Sequence, residues 1–297
     1  MTPSASALEG LAREMGVEIG DLSPPASRHV EGPDGALHLL DWGGDGPPAL
    51  LLHGGALTAR TWDYVALGLR ADFRLIALDL RGHGDSHWAE TYPLAAYVAD
   101  VLAVVDQLGV APCHLAGMSL GGVAAALSAR AAPDRFASLA LVDVAPGVDF
   151  ASTARMRGFI GAVETAASVE AVTAQALAVS PRSHPGKVAY RMAALLTQTM
   201  AGDWRWKQDR RRPTDFPAIL AAVAALDQIA AASRLPTLLV RGGRSRVLDA
   251  AAGEAFARAV PGARVSVAPD AGHNVQEDNP VHLAQAFRDF WTSAGGA

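Results

Sequence analysis

The chain has 297 residues, enough for one large domain or two small ones. Half of its residues are apolar, which is ample for a buried core, and the formal net charge is −5. That balance leaves no basic footprint for nucleic acid or for an anionic membrane surface. The lone cysteine, Cys113, excludes an intrachain disulfide, and no His and Cys spacing suits a metal. Residues 1–30 hold no continuous apolar stretch, and no later run reaches membrane-spanning length, so a soluble cytoplasmic protein is expected.

Residues 1–27 read as an N-terminal helical appendage. Leu8, Leu11, Met15 and Ile19 share one helical face, and Glu9, Arg13, Glu14 and Glu18 lie off it. Ser23-Pro24-Pro25 ends the segment. The chain then alternates between strand-like and helix-like runs. The strands fall at 36–41, 49–53, 74–79, 113–118, 138–143, 237–241 and 264–268. Helices fall between them at 62–69, 94–108, 122–131, 250–259 and 281–290. Such alternation implies parallel βαβ units, and strands apolar throughout imply a sheet covered on both faces.

The alternation stops between residues 146 and 233. That stretch is helical in pattern, with no convincing strand. Met156, Phe159, Ile160 and Val163 repeat at helical spacing, as do Val188, Met192, Leu195 and Leu196. Trp204 and Trp206, within Asp203-Trp204-Arg205-Trp206-Lys207, fit an extended segment with one ring inward. They and Trp88 are candidates for lining a substrate pocket, the alternative being simple packing. The run Arg210-Arg211-Arg212, followed by Pro213 and Asp215, reads as a solvated loop.

Four segments carry chemistry. Gly117-Met118-Ser119-Leu120-Gly121 follows a short buried strand and opens an alanine-rich helix. A strand, a strained G-x-S-x-G turn and a helix lift a serine hydroxyl out of a sheet and aim the helix N-terminus at it. Leu52-His53-Gly54-Gly55-Ala56 runs from an apolar strand into a turn whose N–H can face a developing oxyanion. Asp79-Leu80-Arg81-Gly82-His83-Gly84-Asp85-Ser86 offers polar groups that can satisfy loop backbone near the site. Asp270-Ala271-Gly272-His273-Asn274 places a histidine late in the chain as a general base.

With these motifs in this order, the chain resembles the α/β-hydrolase superfamily, of the capped esterase, haloperoxidase and C–C hydrolase type, over roughly residues 38–291. The resemblance implies an α/β-hydrolase fold: a mostly parallel central sheet flanked by helices, formed by residues 28–145 and 234–297. It also implies a helical cap at 146–233. Ser119 would be the nucleophile and His273 the base. The backbone N–H groups of Leu120 and of Gly55, or of Ala56, would form the oxyanion hole.

The third member of a serine–histidine triad is the departure. In most relatives an aspartate follows the strand read here at 237–241. In this chain that position falls at Ser245, or at Arg246, and neither is a carboxylate. Asp143, at the end of the preceding core strand, is the favoured replacement, because some relatives carry the acid there. Asp249 is the alternative, although it reads better as a helix N-cap. A dyad with no acid is the third.

The expected function is a serine hydrolase acting on a small-to-medium carboxylic ester, thioester or lactone through an acyl-enzyme, with no cofactor and no metal. A C–C bond hydrolase or a cofactor-free perhydrolase could use the same constellation. A non-catalytic binding protein on the same fold is the reading of a different class. The expected partner is a small-molecule substrate, and the protein itself is expected as a monomer or homodimer.

Overall fold

A computed structural model describes residues 3–211 and 215–294. Helix α1 (Ala5–Glu14) is capped by the Ser4 hydroxyl, which accepts from the Ala7 N–H. Leu8 and Leu11 bury its apolar face. Strand β1 (Ala26–Glu31) follows, so the segment read as an appendage to residue 27 ends inside a strand. β1 pairs antiparallel with β2 (Ala36–Gly43). Next come β3 (Pro48–Leu52), α2 (Asp63–Leu69), β4 (Arg74–Leu78) and α3 (Leu94–Leu108). They lead to β5 (Cys113–Met118), α4 (Leu120–Ala131) and β6 (Phe136–Val142).

Residues 143–236 form an insertion rather than another βαβ unit. It holds α5 (Ala154–Ala162), α6 (Val169–Val179) and α7 (Pro185–Leu195). A hairpin of β7 (Leu196–Gln198) and β8 (Trp204–Trp206) follows, then α8 (Phe216–Ala224) and α9 (Leu226–Ser233). The hairpin corrects the strand-free reading of this stretch. Trp204 and Trp206 are both buried on one face of β8, because residues two apart in a strand share a face. The expectation of a single inward ring is corrected in the same way. The chain returns through β9 (Thr237–Gly242), α10 (Ala250–Ala259), β10 (Arg264–Ala268), α11 (Val275–Asp278) and α12 (Pro280–Ala294).

The eight-stranded sheet has the order β1-β2-β4-β3-β5-β6-β9-β10. The β1–β2 and β2–β4 pairs are antiparallel and the rest are parallel. Its apolar strands feed two cores. In β3, Leu51 enters one core while Leu50 and Leu52 enter the other; in β4, Leu75 and Ala77 part from Ile76 and Leu78 in the same manner. A period of two with apolar groups on both faces is what helices on both sides of a parallel sheet demand.

The insertion is tied to the core by polar contacts. Lys207 pairs with Asp85 at 2.8 Å, and the Asp209 N–H donates to the Gly82 carbonyl at 2.8 Å. On the other side α7 packs on α1, and His184 lies 3.0 Å from Glu14. Among the described residues no single helix is long and apolar enough to cross a membrane. The apolar pair α8–α9 bends by 64° and packs on α4.

Candidate active site

Ser119 occupies the turn between β5 and α4 with φ 50° and ψ −115°, a strained backbone for a residue with a side chain. Close approach explains its glycine flanks. A Cβ on Gly117 would lie 2.2 Å from the Gly121 carbonyl oxygen. One on Gly121 would lie 2.4 Å from the Leu52 oxygen. A larger residue at either position would push the turn out of the sheet. Leu120 is the first residue of α4, so its N–H is one of the unpaired donors that open a helix.

The His-Gly-Gly turn lies against Ser119. A Cβ on Gly54 would sit 3.4 Å from the Ser119 Cβ and 2.3 Å from the Met118 sulfur. Two buried histidines hold this turn. His53 Nε2 accepts from the Leu80 N–H at 3.0 Å, so Nδ1 carries the proton and donates to the Gly54 carbonyl at 2.7 Å. His83 Nε2 accepts from the Ala56 N–H at 3.2 Å, and its Nδ1–H donates to the Arg81 carbonyl. Burial, reinforced by nearby His53, lowers the His83 pKa to about 3, so the ring stays neutral. Burial likewise lowers that of His53. The Ala56 N–H is thus engaged by His83.

The remaining polar groups of the Asp79–Ser86 loop are tied up structurally. Burial opposes ionisation of Asp79. Hydrogen bonds from His38 and the Ala59 N–H, with the nearby imidazoles, outweigh it and hold the carboxyl below its ordinary pKa. Arg81 is clamped by Asp100 through two 2.6 Å bonds. Donor atoms of His38, Asp79 and Asp85 lie within 4.8 Å of one another. Each is already engaged, His38 Nδ1 with Asp79 at 2.7 Å and Asp85 with Lys207, so the cluster reads as a hydrogen-bond network rather than a metal centre.

On the other flank, Asp143 follows β6 with φ 52° and a fully buried side chain. Its Oδ1 accepts from the Gly242 N–H at 2.9 Å. Its Oδ2 accepts from the Ser245 hydroxyl at 2.5 Å and from His273 Nδ1 at 2.8 Å. A carboxylate only accepts, so His273 carries its proton on Nδ1, and Nε2 is the basic nitrogen. Ser245, where the resemblance would put a carboxylate, therefore donates its hydroxyl to Asp143. Its oxygen also accepts from the Val247 and Leu248 N–H groups, which fixes the loop. Sequence reasoning noted only that Ser245 is not an acid; a hydroxyl at the vacated position was the available signal. Asp249 caps α10 through the Ala252 N–H at 2.8 Å and makes no bond to His273. Arg246 is exposed.

The three tryptophans make packing contacts. The Trp206 indole N–H donates to the Val163 carbonyl at 2.8 Å, and its ring meets Phe159 edge-on. Trp204 exchanges backbone hydrogen bonds with Ala166. Trp88 is half-buried, with the guanidinium groups of Arg205 and Arg211 over its ring at 5.0 and 4.7 Å.

Comparison with known proteins agrees with this fold. The profile of the alpha/beta hydrolase fold family matches residues 47–280. The chain is 33% identical to the Mycobacterium tuberculosis esterase Rv0045c over 264 residues, 86% of each chain. It is 30% identical over 287 residues to the Mus musculus sn-1-specific diacylglycerol lipase ABHD11, covering 94% of this chain and 89% of that one. The solved structure of Rv0045c aligns with a TM-score of 0.77 at 30% identity, over 97% of this chain and 98% of the other. A Novosphingobium aromaticivorans alpha/beta hydrolase aligns at 0.76 and 27% identity, over 90% and 99%. Strand order, the Ser119 turn and this family match over most of the sequence lead to one conclusion: the chain belongs to the α/β-hydrolase fold family.

Proposed function

We propose that the protein is a serine esterase that cleaves a small-to-medium carboxylic ester, thioester or lactone through an acyl-enzyme on Ser119. The observation that carries this reading is the 2.8 Å bond between His273 Nδ1 and Asp143, which leaves Nε2 as a base. Nε2 takes the Ser119 proton as Oγ attacks the carbonyl carbon. The Gly55 and Leu120 N–H groups stabilise the oxyanion, and the Asp143 carboxylate stabilises the imidazolium. The tetrahedral intermediate collapses, and the leaving alcohol or thiol takes the proton from Nε2. A water molecule then gives its proton to Nε2, attacks the acyl carbon and releases the acid, and Ser119 recovers its proton.

The names of the relatives, an esterase and a diacylglycerol lipase, support ester bonds as the target. The test is hydrolysis of p-nitrophenyl esters of graded acyl length by the wild type and by Ser119→Ala. The expected loss is on the order of 10³-fold or more in kcat. Retention of more than about a tenth of the wild-type rate would remove Ser119 from the mechanism.

A further inference from the structure

The position of His273 depends on the short helix that follows it. α11 begins two residues past His273 and is four residues long, a length at which a helix is not stable on its own. It forms one piece with the histidine loop. Asp278 accepts from the Gly272 N–H at 2.8 Å, and the Asn279 amide donates to the Pro269 carbonyl at 2.9 Å. The bonds that leave this piece therefore decide where the imidazole stands.

Glu277 carries such bonds in two directions. Its Oε1 accepts from the Thr61 hydroxyl at 2.8 Å. Thr61 lies in the short helical turn Ala59–Trp62, which continues the His53–Ala56 turn; there the Leu57 N–H closes back on the Gly54 carbonyl at 3.2 Å. The Gln276 amide donates to the Thr61 oxygen at 2.9 Å, so the hydroxyl proton is directed at Glu277. In the other direction, Oε2 accepts from Arg191 Nε, on α7, at 2.6 Å, and a terminal nitrogen of Arg191 reaches the same oxygen. The Lys187 ammonium, also on α7, donates to the Glu277 main-chain carbonyl at 2.7 Å. Thr61, Gln276 and Glu277 are all buried. The cavity beside Thr61, Arg191 and Glu277 measures about 10 Å³, room for one oxygen-sized group and not for a hydration shell that could replace these bonds.

We infer that Glu277 is a positioning residue for the proposed reaction: it fixes α11, and with it His273, against the turn proposed to supply an oxyanion N–H and against α7. The inference rests on Ser119 and His273 being the reacting pair. Well-packed apolar groups often stabilise a fold as much as a buried ion pair does, so what a carboxylate supplies here is directed geometry. A misplacement of about 1 Å between reacting groups can cost ~10²-fold in rate, and a single buried residue bonded to both loops limits it.

The experiment reads the rate constant for fluorophosphonate labelling of Ser119, beside kcat and KM for p-nitrophenyl butyrate. The rate constant comes from the time course, so an unfolded fraction lowers the amplitude and leaves the rate. Glu277→Gln sets an amide NH2 against one of the two donors, and Thr61→Val deletes the hydroxyl. In each, labelling and kcat are expected to fall together by ~10-fold or more, with KM within ~3-fold of wild type. The double variant should lie within ~3-fold of the slower single one, because both cut the same tie. Thr61→Ser returns the hydroxyl and should restore labelling to within ~3-fold of wild type. Tyr190→Phe is the control for structure alone. It removes another buried bond between α7 and the core, from the Tyr190 hydroxyl to Asp63, and should keep kcat within ~3-fold. A fall of less than ~10-fold in either single variant, an equal fall in Tyr190→Phe, or no rescue by Thr61→Ser would leave Glu277 a merely structural group and overturn the inference. With Ser119 labelled in the wild type, those results sink the positioning role alone. A wild type in which Ser119 does not react overturns the catalytic reading and the inference with it.

Discussion

Replacing Asp143 with asparagine tests the acid at its most demanding point. Three donors converge on this carboxylate: the Gly242 N–H, the Ser245 hydroxyl and His273 Nδ1. An asparagine amide has one oxygen and one NH2 group, and the NH2 must face one side or the other. Turned toward His273, it meets two donors and drives the imidazole into the tautomer with a proton on Nε2, which cannot take the Ser119 proton. Turned away, it meets the Gly242 N–H in a fully buried setting and still withholds the charge that stabilises the imidazolium. The expected loss in kcat is up to ~10⁴-fold. That corresponds to about 5.5 kcal/mol of transition-state stabilisation. A buried donor left facing a donor adds a stability cost of about 1–3 kcal/mol. The assay is steady-state hydrolysis of p-nitrophenyl butyrate near neutral pH, beside Asp249→Asn as the control. Asp249 only caps α10, and asparagine caps about as well, so that variant should keep kcat within ~2-fold. The reasoning fails if Asp143→Asn keeps more than a tenth of the rate, or if Asp249→Asn loses more than tenfold.

Three further outcomes are expected. Ser245→Ala removes the hydroxyl that bonds Asp143 and fixes the loop, so kcat should fall ~3–30-fold, less than for Asp143→Asn. A wild-type kcat would mean that Asp143 is held without it. Trp206→Ala should cost ~3–5 kcal/mol in denaturant unfolding while the acyl-length profile stays the same, because the ring packs on Phe159 and its N–H is engaged. A changed profile with unchanged stability would place the ring in the pocket instead. His83 has a folded pKa of about 3 against an ordinary value near 6.5. The unfolded chain therefore binds a proton that the folded one refuses. The stability this neutral ring contributes is complete above pH ~6.5 and is lost as pH falls from there toward ~3, by at most about 1.4 kcal/mol per pH unit. His83→Gln should flatten the pH dependence of unfolding between about pH 7 and about pH 5, and an unchanged slope would assign the titration to another group.

Local rules made most of the sheet legible. Short apolar runs such as Leu50-Leu51-Leu52, followed at once by a Gly-Gly turn, form buried strands, and the glycines around Ser119 answer to close backbone contacts that any residue with a Cβ would break. The link between Asp143 and His273 was legible through the family resemblance, which puts an acid at Ser245 or Arg246, where this chain has no carboxylate, or at the strand end that Asp143 occupies. The structure brings those two side chains to 2.8 Å. Other features left no such mark. β1 is an edge strand with nearly every side chain exposed, so it has no apolar alternation to read. The β7–β8 hairpin has only three residues per strand, and its period-two tryptophans were the one hint. The polar cluster under α7 joins residues far apart in sequence. Tyr190 reaches Asp63 across 127 positions, and Arg191 reaches Glu277 across 86. Nothing local marks such pairs.

The most direct measurement is covalent labelling with a fluorophosphonate, the modified residue being identified by mass spectrometry. Such a probe reacts with a serine whose proton a neighbouring base can take, so it reports the activated nucleophile without any assumption about substrate. The wild type is expected to carry one label, on Ser119. The labelling rate should fall by ~10³-fold or more in His273→Ala and by a comparable factor in Asp143→Asn, because nucleophile, base and acid act as a unit. An unlabelled wild type, a label on another serine, or labelling of Ser119 at the wild-type rate in both variants would contradict the account.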